Sequence, residues 1–171
     1  MGCAEDPPPF DRLLVAACYE GDLRDMIHAF KYRRCTHLKG YLGSLLYEAV
    51  KDELKECDLV TAVPLHWSRV LARGYNQSML LAREVSRRSG VRLAPGVLRR
   101  TRPTKAQVGL NPSERKKNLK GVFSARDVEG LSVCVVDDVV TTASTAYEVG
   151  LALRRAGASR VIFSGVARSM A

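Results

Sequence analysis

Two adjacent carboxylates, Asp137 and Asp138, stand where a strongly apolar run, Val133–Val136, meets a hydroxyl-rich turn, Thr141-Thr142-Ala143-Ser144-Thr145. A helical pattern follows directly. Ligands of open α/β sheets bind beyond the carboxyl ends of the strands. A helix N-terminus in that place offers unpaired N–H groups and a partial positive charge, which suit a phosphate. The Thr and Ser hydroxyls add further donors. Paired carboxylates just upstream suit vicinal sugar hydroxyls, so the segment is shaped for a phosphorylated ribose. Serine and threonine are also ordinary helix caps, and acids at a strand end are often only solvated. Their combination in one strand–turn–helix unit favours the phosphate reading.

The positive charge is concentrated. The chain carries 27 Lys+Arg against 18 Asp+Glu, a net +9. Eight of the cations fall between Arg99 and Lys120, against Glu114 alone. Such a cluster draws phosphate-rich partners. Charge alone leaves two readings: a solvated or non-specific nucleic-acid patch, or a lid that handles phosphate.

The elements that must position these groups alternate. Leu13–Cys18 reads as a strand, and a helix capped by Asp22 runs toward Tyr32. Leu42, Leu45, Leu46 and Ala49 recur at helical spacing, so a helix is expected from Gly40 to about Leu54. Asp58–Val63 reads as a buried strand stopped by Pro64. A helix fits Asn76 to Arg88 and ends at Gly90. Residues 97–123 lack helical period and read as a long loop with short strands at its ends. Leu131–Val136 is a strand, Ala146–Ala156 a helix, and Arg160–Val166 the last strand. The expected fold is α/β, a mainly parallel central sheet flanked by helices. A loose lead-in over residues 1–12 precedes a single domain over 13–171.

Composition closes several classes. With 46% hydrophobic and 26% charged residues, the chain is globular rather than disordered. No apolar run approaches the ~20 residues that span a bilayer, so no membrane insertion is expected. The five cysteines form no C-x-x-C pair, and no secretory signal is visible, which together point to a reducing cytoplasm. Cys134 reads as a small core hydrophobe.

Several stretches resemble a known family. DDVVTTAST is similar to the phosphoribosyl pyrophosphate (PRPP) motif of type I phosphoribosyltransferases, although Ala143 stands where that family usually has Gly. Ala62–Ala82, AVPLHWSRVLARGYNQSMLLA, is similar to the V-P-x(n)-R-G-[FY]-N-Q-x-x-x-L-A signature of ComF-like (GntX-like) phosphoribosyltransferases. AFKYRR, Ala29–Arg34, resembles that family's L-K-Y segment. Thr104, Gln107, Leu110, Arg115 and Asn118, followed by Gly121-Val122-Phe123, match a further spaced pattern. The resemblance runs from about residue 13 to 168.

It implies the type I phosphoribosyltransferase fold with a flexible hood loop. Asp137 and Asp138 would bind the ribose hydroxyls, and the turn Thr141, Thr142, Ala143, Ser144 and Thr145 the 5-phosphate. Pro64–Gly74 would be the pyrophosphate loop, with Pro64, Leu65, His66, Arg69 and Arg73 as its binding residues. Arginine's planar donor fork suits phosphate oxygens. Trp67 is expected to pack in the core or loop rather than to stack on a base. The basic hood would close over the substrate, with Arg102, Lys105 and Arg115 as catalytic cations and Mg2+ neutralising the leaving pyrophosphate. The N-terminal zinc ribbon usual in the family is not expected, since Cys3 alone precedes Pro7–Pro9. The implied activity is Mg2+-dependent transfer of a phosphoribosyl group to an unidentified acceptor. Two alternatives stay open: a non-catalytic accessory in DNA uptake and natural competence, or a PRPP-sensing regulator. The matching partners are PRPP and pyrophosphate, single-stranded DNA or the competence machinery, and a second copy of the chain.

Overall fold

The computed structural model describes residues 7–101, 119–141 and 143–169. Strand β1 (Arg12–Cys18) leads into helix α1 (Gly21–Tyr32), a 3-10 turn and helix α2 (Lys39–Leu54). Strand β2 (Leu59–Ala62) is followed by a short helix α3 (Trp67–Arg73), helix α4 (Gln77–Ser89) and strand β3 (Arg92–Leu93). Strands β4 (Leu98–Arg100) and β5 (Phe123–Ala125) form an antiparallel ribbon. Strand β6 (Ser132–Val140), helix α5 (Ser144–Arg155) and strand β7 (Arg160–Arg168) complete the chain. The main sheet has the order β1-β7-β6-β2-β3, and every pairing in it is parallel.

The pleat of β6 explains both core layers, because successive strand residues face opposite sides. Val133 and Val135 pack with Val149 and Leu153 of α5. Cys134 and Val136 pack with Ile27 and Phe30 of α1, Leu46 and Val50 of α2, and Leu81 and Val85 of α4. Both faces are thus covered, as an all-parallel sheet requires. Each fully buried aliphatic side chain contributes about 1.5–3 kcal/mol relative to exposure. Helices α2 and α4 approach so closely at Gly43 that a Cβ there would lie 2.5 Å from Glu84 Cβ.

Two elements differ from the sequence expectation. The Pro64–Gly74 stretch contains α3, whose N-cap is His66 rather than one of the usual capping residues; its ring Nδ1 accepts from Ser68 N–H at 3.4 Å. Strand β6 also continues past Val136, pairing Asp137 with Gly165 and Val139 with Ala167. The acid pair therefore sits within the strand, held by its ladder. The hood cations Arg102, Lys105 and Arg115, and Thr142 of the turn, lie outside the described residues. Among the described residues no helix is long and apolar enough to cross a membrane.

Candidate functional site

Strands β2 and β6 are neighbours, yet their chains leave in opposite directions. The chain after β2 passes into α4 on one face, and the chain after β6 passes into α5 on the other. That divergence opens a crevice at the carboxyl ends of the two strands, the place where such sheets bind ligands. A cavity of about 490 Å3 fills it. Asp137, Asp138, Thr141 and Thr145 line it from the β6 side, and Leu65, Arg69 and Arg73 from the loop after β2. Pro64, His66, Ala143 and Ser144 belong to the same two loops but are not part of the lining.

The acid pair is held oxygen by oxygen. Asp137 Oδ1 accepts from the Asp138 backbone N–H at 2.8 Å and from Ser78 Oγ at 3.0 Å. Asp138 Oδ1 accepts from the Val139 N–H at 2.7 Å and from Lys31 Nζ at 3.0 Å. Asp138 Oδ2 is buried and has no hydrogen-bond partner among the described residues. Burial, and then the neighbouring Asp138 charge, push Asp137 up to about 7. Burial alone would lower Lys31, but Asp138 against it, with Asp137 behind, holds its ammonium above the usual lysine range.

The lining also includes Lys31, Tyr32, Gln77 and Arg100, none of which was assigned a role from sequence. Gln77 opens α4 and is buried, and its Oε1 has no partner among the described residues. Arg100 comes from the base of the ribbon and lies 5.5 Å over the Phe123 ring. Burial and the like charge of Arg69 lower it to about 10, which still leaves it cationic at neutral pH. Arg73 lies 5.0 Å over the Tyr32 ring. Tyr75, in the R-G-Y-N stretch, donates its hydroxyl to the carbonyl of Phe30, the residue before Lys31 in α1. The next residue, Asn76, caps α4 by accepting from Met79 N–H and donates to the Val63 carbonyl at the end of β2. The R-G-Y-N stretch therefore fastens α1, α4 and β2 around one crevice.

His66 is buried as the cap of α3, with Nδ1 2.7 Å from Ser68 Oγ, so its ring is engaged in the helix start. Trp67 is 67% exposed instead of packed, with its ring tilted against His66. Ala143 adopts φ 55°, ψ 2°, the left-handed conformation that glycine accommodates freely. Buried Glu148 of α5 accepts from the Gly121 N–H at 2.9 Å, and Thr101 N–H bonds to the Val122 carbonyl. These contacts fix the ribbon end beside α5. Cys134 is fully buried, and burial pushes its thiol up to about 12, so it is an inert core residue. Among the described residues no group of three His, Cys, Asp or Glu could hold a metal ion by itself.

The chain is similar to competence protein F of Haemophilus influenzae, 32% identical over 176 residues, covering 98% of this chain and 77% of the relative. It is similar to DNA utilization protein YhgH of Escherichia coli K12, 37% identical over 165 residues, covering 93% and 73%. No family model matches. Among solved structures it resembles the glutamine PRPP amidotransferase from B. subtilis complexed with ADP and GMP, with a TM-score of 0.51 and 25% identity. It also resembles an allosteric regulatory enzyme of purine biosynthesis, with a TM-score of 0.51 and 24% identity. In both cases 75% of this chain aligns with about a quarter of the larger enzyme.

Proposed function

We propose that this chain, which belongs to the family of competence protein F and DNA utilization protein YhgH and has the phosphoribosyltransferase fold, binds PRPP with Mg2+ and transfers its phosphoribosyl group to an acceptor. The observation that carries the reading is the lining of one cavity: four cations, Lys31, Arg69, Arg73 and Arg100, around two acids, Asp137 and Asp138. A polyphosphate without a metal ion would have no use for the acids, and a plain sugar none for the arginines. A phosphorylated sugar uses both.

In this reading the turn at the start of α5, with Thr141 and Thr145, holds the 5-phosphate. The acid pair accepts hydrogen bonds from the 2- and 3-hydroxyls. Arg69, Arg73 and Arg100 take the pyrophosphate. The acceptor's lone pair forms the new bond to the anomeric carbon as the C–O bond to pyrophosphate breaks, and pyrophosphate leaves with the electron pair. The three arginines stabilise the charge that grows on that leaving group.

The residues fit a Mg2+ that arrives with the substrate. Mg2+ is commonly bound by one or two carboxylates together with substrate phosphates, and the cavity offers two carboxylates beside its arginines. The ion would supply charge neutralisation at the pyrophosphate.

Titration calorimetry of the whole chain with Mg·PRPP tests the reading, followed by a nucleobase screen for pyrophosphate release. Saturable one-to-one binding supports it, and absence of binding rejects it. The names of the relatives favour a second reading, a PRPP-fold accessory in DNA uptake. In that case Mg·PRPP binds, no acceptor releases pyrophosphate, and single-stranded DNA binds with a steep salt dependence.

A further inference from the structure

We infer that Lys31 is a resident counter-ion of the acid pair, and that it lets the chain hold the vicinal diol of a phosphoribose without a divalent cation. The inference rests on the PRPP reading above and deepens it. Two neighbouring carboxylates at a buried strand end repel each other, and a buried charge needs a partner. In many sugar-phosphate sites a bound metal could meet that need. Here the chain meets it from α1, outside the strand–turn–helix motif. Lys31 Nζ stands 3.0 Å from Asp138 Oδ1, with only 18% of the lysine side chain and 7% of the aspartate side chain exposed.

The distribution of free acceptors says what the pair awaits. Oδ1 of Asp137 and Oδ1 of Asp138 are each engaged twice by protein donors. Asp138 Oδ2 and Gln77 Oε1 are buried, in residues each 5% exposed, without a partner among the described residues. Both residues line the cavity. Ionised phosphate oxygens are acceptors and cannot satisfy another acceptor, whereas sugar hydroxyls donate. The empty positions therefore suit the diol, and the cation beside them is already in place. Lys31 touches no ligand in this arrangement; it is a positioning residue acting through Asp138. The acid pair then holds the diol before any Mg2+ arrives, and the ion becomes necessary only when the pyrophosphate is present.

The test is calorimetry on the full chain with two probes, ribose 5-phosphate and PRPP, each in EDTA and in Mg2+. Wild type should bind ribose 5-phosphate in EDTA within about threefold of its affinity in Mg2+, while PRPP should gain strongly from Mg2+. Lys31→Met should lose about tenfold or more in EDTA, the scale of one charge-assisted hydrogen bond, and recover part of it in Mg2+. Lys31→Arg, which keeps the charge, should retain most of the affinity. The wild-type comparison needs no variant, so a misfolded Lys31→Met leaves the inference open to refutation. Ribose 5-phosphate binding by wild type only with Mg2+, or undiminished binding by Lys31→Met in EDTA, overturns the inference while PRPP binding survives. Failure of both probes in both media overturns the PRPP reading and the inference with it.

Discussion

Replacing Lys31 by Met leaves Asp137 and Asp138 buried without their cation, and the stability of the fold should record the loss. Removing one partner of a fully buried ion pair costs about 3–5 kcal/mol; because 18% of the Lys31 side chain is exposed, about 2–3 kcal/mol is appropriate here. For a chain of this length that corresponds to a fall in Tm of about 5–10 °C. The penalty should depend on pH in a definite sense. Asp137 is raised to about 7 in the folded chain, above its ordinary 3.8. Between those values the folded state binds a proton that the unfolded chain has released. Its contribution to stability is therefore fully present below about pH 4 and is lost as pH rises toward 7. Without Lys31, whose charge holds Asp137 down, Asp137 moves further up, and the decline steepens. Urea unfolding followed by circular dichroism at pH 5.5 and 7.5 should show the larger penalty at pH 7.5. The double variant Lys31→Met with Asp138→Asn should recover part of it. An equal penalty at both pH values, or no recovery in the double variant, would mean that Lys31 contributes packing and not charge.

The double variant Asp137→Asn with Asp138→Asn should weaken Mg·PRPP binding at least tenfold by calorimetry, since each lost charge-assisted hydrogen bond is worth ~1.5–3 kcal/mol; unchanged affinity removes the ribose assignment. Gly43→Ala places a methyl 2.5 Å from Glu84 Cβ, and the overpacking cost of about 1–3 kcal/mol should exceed the ~1 kcal/mol gain in helix propensity. Urea unfolding with no loss of stability would show that α2 and α4 can move apart. Ala143→Gly should raise stability by up to about 1 kcal/mol, because left-handed backbone costs alanine roughly 1–2 kcal/mol and glycine's extra unfolded-state entropy offsets only part of this. A thermal melt with lower Tm in that variant contradicts the strain. Deoxyribose in a DNA strand has no vicinal diol to donate to the acid pair, so single-stranded DNA should not displace Mg·PRPP; mutual displacement in a fluorescence titration would place both on one surface.

What could be read from sequence was what burial or local geometry imposes. β6 and the helix after it announce themselves because Val133–Val136 is buried on both faces and the hydroxyl-rich turn is contiguous. Gly90 ends α4 at φ 77°, as its position after an amphipathic run implied. Three features were illegible for physical reasons. Helix α3 is one short segment capped by a histidine, with neither the length nor the cap that marks a helix in sequence. Trp67 looked like a packing residue by type, yet α3 leaves it 67% exposed. Lys31 and Ser78 meet the acids across long separations, and although both lie in family-like stretches, nothing local says what either side chain touches. The tie between Glu148 and Gly121 is of the same kind.

The acid pair also shows how the fold and the site are one construction. Each carboxylate takes one hydrogen bond from its own strand, through the N–H groups of Asp138 and Val139, and those bonds form with β6. The second donor to each comes from a different helix, Ser78 from α4 and Lys31 from α1. Both helices belong to the core layer that includes Cys134 and Val136, the residues immediately before the pair. Docking of α1 and α4 on that layer brings the donors into position, and the hydroxyl bond from Tyr75 to the Phe30 carbonyl fixes α1 to the same loop that carries Arg69 and Arg73. An altered helix seat in that core therefore reaches the carboxylate oxygens of the acid pair directly, through one lysine and one serine, without touching the turn before α5 on the opposite face.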